Sequence, residues 1–177
     1  MVPQARFQIR FSFGAHSAIV EGAHVVIWVD ALPPSEPSPE ADPLAIAGPA
    51  AIVTGSPAAR DELAAWVLAL QKELGDRAVV AVIAAGGAGG TFAVEDFVAA
   101  GAVIDALAEV GLDYSSPEAA AAGGAWSALH RAGAHVLSAS TAGQELLAAG
   151  GSLDTALGQW REPGIRVLRE FDPAARG

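Results

Sequence analysis

A chain of 177 residues, 52% hydrophobic and 17% charged, is long enough to bury a core and too apolar to be disordered. Its formal net charge of −10 argues against nucleic acid, whose phosphates call for a basic surface. The absence of cysteine removes disulfides, thiolate catalysis and thiolate zinc sites together.

Residues 6–12 (RFQIRFS) alternate polar and apolar, as a half-buried or edge strand does. Residues 14–22 (GAHSAIVEG) suit a short helix ending at Gly22. The run from His24 to Val29 is continuous and β-branched, which predicts a central strand buried on both faces. It delivers Asp30 to its carboxyl end.

Residues 33–43 (PPSEPSPEADP) hold five prolines and no apolar period, so they predict a loop. A second strand over Ala50 to Thr54 stops at Gly55-Ser56-Pro57. From Pro57 to Leu74 the spacing of Leu63, Val67, Leu70 and Leu74 predicts a helix. A third strand covers Ala78 to Ala84 and enters a glycine cluster, Gly86, Gly87, Gly89 and Gly90. A long helix follows over about 94–110 and opens on Glu95-Asp96.

Ser116 has the chemistry of an N-cap, with Pro117 as the first helical residue and a helix reaching about Ala132. Residues 134–138 (AHVLS) read as a short strand or extended link. Residues 140–150 (STAGQELLAAG) read as a capped helix ending on glycine, followed by a short helix over 152–160 and a closing strand over 164–168. The order of elements predicts one α/β domain over residues 1–177, a three-layer α/β/α sandwich with a mostly parallel or mixed sheet. No apolar run reaches membrane length, and the start MVPQARFQIRF lacks the apolar core of a signal peptide. A cytoplasmic protein without membrane contact is the expectation.

Strand, glycine turn and helix over 78–110 is the arrangement that builds ligand sites at the carboxyl edge of parallel sheets. The glycines do not form a dinucleotide fingerprint: starting from Gly87, Phe92 stands where the last glycine belongs. No lysine follows, so a triphosphate loop is excluded as well. Two readings remain open, a flexible turn or backbone N–H groups facing an anion or a metal-bound ligand. The helix dipole accounts for one of Glu95 and Asp96. Adjacent helical side chains diverge by about 100°, so one is expected in the cleft and the other toward solvent or a neighbouring loop.

Asp30 is the more suggestive carboxylate. If it converges with one of the pair, Mg²⁺ fits, since that ion takes one or two carboxylates plus water. The histidines His16, His24, His130 and His135 have no metal-ligand spacing. Ser56, Ser140 and Thr141 precede helices and read first as N-caps. The tryptophans Trp28, Trp66, Trp126 and Trp160 read as packing residues.

The stretch from Ala84 to Leu107 (AAGGAGGTFAVEDFVAAGAVIDAL) resembles the 2-phosphosulfolactate phosphatase family, which carries A-G-x-x-G-x-x-x-x-E-D-x-x-x-A-G here. Three further segments follow in the family's order. VVIWVDAL at 25–32 is similar to its strand ending in V-I-D-V-L, VTGSPAAR at 53–60 to its G-S-x-x-N segment, and STAGQELLAAG at 140–150 to its S-x-H-G-R helix.

The resemblance implies an α/β/α fold and Mg²⁺-dependent hydrolysis of 2-phospho-3-sulfolactate, a step toward coenzyme M. It implies catalytic and metal roles for Asp30, Glu95 and Asp96. It implies ligand contacts from Gly86, Gly87, Gly89, Gly90, Ser56, Ser140 and Gly143.

The chain departs from the pattern in several places. Ala31-Leu32-Pro33-Pro34 stands where the family has L-R-A-(S/T), and the proline-rich segment replaces a long middle portion. Ala59, Ala142 and Gln144 stand where the family has asparagine, histidine and arginine. Phosphoryl transfer relies on such groups for charge stabilisation. The alternative is therefore a catalytically impaired relative that acts as a ligand-binding or protein-interaction module. A small anionic substrate and a homodimer are both compatible with the sequence.

Overall fold

The computed structural model describes residues 2–15, 18–32, 42–161 and 164–175. Most of the proline-rich segment, residues 33–41, lies outside them, as do His16 and Ser17 of the expected first helix. Five strands form one sheet: β1 Ile9–Phe13, β2 Val25–Val29, β3 Ala51–Gly55, β4 Val80–Ala84 and β5 Arg166–Arg169. Their order is β1-β4-β2-β3-β5, with the first four parallel and β5 antiparallel to β3.

The interior strands β2 (VVIWV) and β4 (VAVIA) are buried at every position. A strand covered on both faces needs no polar alternation, and these have none. β1 does alternate: Ile9 and Phe11 belong to one core and Arg10 points the other way. The outer edge of β1 is covered by residues 114–116. Gln8 N–H donates to the Tyr114 carbonyl at 2.9 Å and Ser116 N–H to the Ile9 carbonyl at 2.9 Å.

Among the described residues six α-helices accompany the sheet: α1 Arg60–Leu74, α2 Val94–Glu109, α3 Pro117–Leu129, α4 Gly133–Ala139, α5 Thr141–Ala148 and α6 Asp154–Arg161. The main core joins one sheet face (Val25, Ile27, Val53, Val80, Val82) to Leu63 and Val67 of α1, Val103 and Leu107 of α2, Ala119 and Ala122 of α3, and Leu137 of α4. α2 is the centre of this layer and buries eleven residues. It can do so because α3 lies directly on it. A Cβ on Gly101 would come within 2.0 Å of the Ala122 carbonyl oxygen, so only glycine permits that approach.

The opposite face carries a smaller core of Val26, Trp28, Ile52, Ala81 and Ile83. It is closed by Ala15, Ile19, Ala23, Ile46 and Ala50, from connecting segments whose described residues hold the 3₁₀ turns Ala18–Val20 and Pro43–Ala45. The mixed α/β sheet agrees with expectation. Among the described residues this second layer holds 3₁₀ turns and no α-helix.

One element differs in kind. Residues 134–138 belong to α4, not to a strand or extended link. Val136 is its only β-branched residue, and Val136 and Leu137 are both buried, which suits a helix packed on α2. The strands at the sheet's two edges, β1 and β5, are supplied by other parts of the chain.

Candidate active site

The parallel register brings Val29, Gly55 and Ala84 level with one another. The next residues, Asp30, Ser56 and the Ala85-Gly86 pair, therefore leave the sheet side by side at its carboxyl edge. The turn after β4 is compact. Gly86 has φ +74°, and a Cβ there would stand 2.5 Å from the Thr91 carbonyl oxygen. Gly87 N–H donates to the Thr91 carbonyl at 3.0 Å and Gly90 N–H to the Gly87 carbonyl at 2.9 Å. Gly90 also packs on the backbone of Gly14. The N–H groups of Gly86, Gly87 and Gly90 thus have protein acceptors, so the loop is a folded turn that delivers α2.

Glu95 and Asp96 open α2, and both are 3% exposed. Of the two directions expected for the second carboxylate, solvent or a neighbouring loop, Asp96 takes the loop. The helix start is enclosed by the glycine turn and by the chain leaving β2, so two directions 100° apart both meet protein. Asp96 braces these two loops. One carboxylate oxygen accepts from Ala31 N–H at 2.7 Å and the other from Gly86 N–H at 2.7 Å. Burial pushes its carboxyl up to about 7, assisted by the charge of Asp30, while the two N–H donors act in the opposite sense.

Asp30 is pushed up to about 6, first by burial, and the Glu95 charge adds to this against a backbone hydrogen bond from Leu32. Glu95 is the third member of the group. No hydrogen bond or ion pair reaches its carboxylate among the described residues. The three carboxylates expected to act together are therefore brought together, with different surroundings: Asp96 held by two donors, Asp30 by one, Glu95 by none described.

A small cleft opens beside Asp30, lined by Val29, Ala31, Gly55, Ser56, Pro57, Ala99 and Trp160. Its volume of about 20 Å³ is room for a single water-sized group. Ser56 borders it, while its hydroxyl accepts from Ala59 N–H at 3.2 Å. Ser140 and Gly143 do not line it. Ser140 caps α5 by accepting from Gly143 N–H at 3.1 Å, and a Cβ on Gly143 would fall 1.9 Å from the Leu137 carbonyl oxygen.

Trp160 of α6 is the wall that reading the sequence missed. Nothing in its local pattern separates it from a packing tryptophan, because its neighbours in the cleft come from β2, β3 and α2. No lysine or arginine stands among the described lining residues.

Among the described residues no group of three or more His, Cys, Asp or Glu side chains is arranged to hold a metal ion. Mg²⁺ requires less, one or two carboxylates with water completing the shell. Asp30, half-buried, and Glu95, buried, are electrostatically coupled and have fewer donors than Asp96, and as hard oxygen ligands they fit such a cation.

A family model described as 2-phosphosulpholactate phosphatase matches residues 44–158, more than half of the 177-residue chain. No curated protein and no solved structure shows a significant match.

Proposed function

The chain belongs to the 2-phosphosulfolactate phosphatase family, and on that footing we propose that it is a Mg²⁺-dependent hydrolase of a small phosphomonoester. The substrate of this reading is 2-phospho-3-sulfolactate or a close relative, on the route to coenzyme M, in the cytoplasm. The observation that carries it is the coupling of a half-buried Asp30 and a buried Glu95, both weakly partnered, at the carboxyl edge of the sheet.

Asp30 and Glu95 would hold the cation, which when bound neutralises charge on the phosphoryl oxygens. Asp96 acts through position: by fixing Ala31 and Gly86 it sets where Asp30 leaves β2. The apolar groups Val29, Pro57, Ala99 and Trp160 line the cleft beside Asp30. Low-dielectric walls strengthen the electrostatic contacts of the carboxylate they border.

A second reading has its own observation. The cleft is small and no cationic side chain is described on it, so a phosphate dianion would depend on the metal alone. A ligand-binding module without turnover accommodates that. Phosphate release from phosphosulfolactate and from simple phosphomonoesters, with Mg²⁺ and with chelator, separates the two. Metal-dependent release that Asp30→Asn abolishes supports the hydrolase. Silence across substrates, alongside Mg²⁺ binding that Asp30→Asn removes, supports the binding module.

A further inference from the structure

We infer that Trp160, seated on Gly133, is the wall that sets the size of the cleft beside Asp30 and so limits which esters reach the carboxylates. The inference rests on the reading of that cleft as the substrate site.

Two observations on different elements meet here. Trp160 reaches from α6 to line the cleft opposite Ser56 and Pro57 of the chain after β3, and Ala99 of α2. It is half-buried and packs on the main core. Its position is then fixed from behind by α4. A Cβ on Gly133 would lie 2.8 Å from the indole Nε1 and 3.0 Å from Cε2. That is inside contact distance, so the indole occupies the space a side chain at 133 would need. Gly133 opens α4 with ordinary right-handed angles, φ −51° and ψ −44°. The backbone there does not require glycine; the indole does.

Besides Val29 and Asp30, the remaining lining groups are Ala31, Gly55, Ser56, Pro57 and Ala99, all smaller than an indole. None of them can narrow the cleft as a bicyclic ring does. The ring therefore accounts for a space of about 20 Å³ where the neighbouring backbone alone would leave more. An apolar wall discriminates by size, with about 10- to 200-fold between ligands that differ by a methylene-sized group.

The experiment uses the full chain and two independent lesions, Trp160→Ala and Gly133→Ala. The first removes the ring. The second keeps the ring and displaces it, so it serves even if the first fails to fold. Both are compared with wild type and Trp160→Phe on phosphomonoesters of increasing bulk, read as kcat/KM with Mg²⁺ and as binding by calorimetry. Acrylamide quenching of the Trp160 emission, taken as the difference from Trp160→Phe, reports displacement of the ring in Gly133→Ala.

The expected result is a shift of size preference by about tenfold or more toward the bulkier esters in both variants, and stronger quenching in Gly133→Ala. An active wild type whose size preference is unchanged in both variants overturns the wall and leaves the hydrolase standing. An inert wild type, with variants that bind the bulkier esters, overturns the hydrolase and leaves the wall. Absence of ester binding in every variant overturns the wall as well.

Discussion

Two regions of the molecule bury charge, and they do so in opposite ways. Arg10 on β1 is 4% exposed and gives its guanidinium to four carbonyl oxygens, those of Ala5, Phe7, Ile19 and Glu21, at 2.9 to 3.3 Å. Burial lowers its pKa, yet each bond ties a connecting segment to the sheet. At the carboxyl edge three coupled carboxylates, Glu95 and Asp96 buried and Asp30 half-buried, have three backbone donors among them. The comparison separates architecture from chemistry. A buried ion with its partners matched holds the fold, whereas a buried group that repels its neighbours destabilises the fold and persists when it has another use.

The largest effect that would break this contrast is on turnover. Asp30→Asn is expected to lower Mg²⁺-dependent phosphate release by about 100-fold or more, the scale seen when a charge-stabilising group is removed. The same change is expected to leave the melting temperature at neutral pH unchanged or higher, because it removes a carboxylate that the fold disfavours as an anion. A large drop in melting temperature would make Asp30 structural instead.

Asp96→Ala is expected to do the reverse. It strands the N–H groups of Ala31 and Gly86, and denaturant unfolding should show a loss of about 3 kcal/mol, at roughly 1–3 kcal/mol per unsatisfied buried group. Arg10→Met, on the architectural side, should cost about 2 kcal/mol with phosphate release unaffected, since it strands carbonyls far in sequence from the acidic edge.

A pH titration sharpens the comparison further. Asp30 and Asp96 hold protons more tightly in the folded chain, at about 6 and about 7, than their ordinary value of 3.8. The folded state then binds more protons than the unfolded one between about pH 4 and 7. Stability is therefore greatest at the acid end of that window and falls as pH rises through it. Saturating Mg²⁺ should restore what is lost, because it binds the ionised folded form. A stability that rises from pH 4 to 7 without metal would contradict the assigned burial.

The smallest effect belongs to the surface. Arg60 bridges α1 to α2 through Asp105 at 3.0 Å and is partly solvated, so Arg60→Ala should cost about 0.5 kcal/mol.

Much of this was legible in the residues. A continuous apolar run marked β2 as an interior strand, the run at 78–84 marked β4 as a strand, and the alternation at residues 6–12 marked β1 as half-buried or an edge. Ser116 and Pro117 announced α3 at the right residue. Asp30 and the Glu95-Asp96 pair were legible as candidates because strand ends and helix starts converge at one sheet edge.

The misses share a cause, which is tertiary contact. Residues 134–138 are helical because α2 offers a surface for Val136 and Leu137. Trp160 enters the cleft because Gly133, on another helix, leaves room for it. None of these partners is adjacent in sequence.

The central claim, a cation held by Asp30 and Glu95, is tested most directly by calorimetric titration of Mg²⁺ into the wild type, Asp30→Asn and Glu95→Gln near pH 6.5 in two buffers of different ionisation heat. The account predicts one site in the wild type, with protons released as Asp30 and its neighbour Asp96 give them up, and loss of that site in both variants. Equal binding in all three proteins, or none in the wild type, would contradict it.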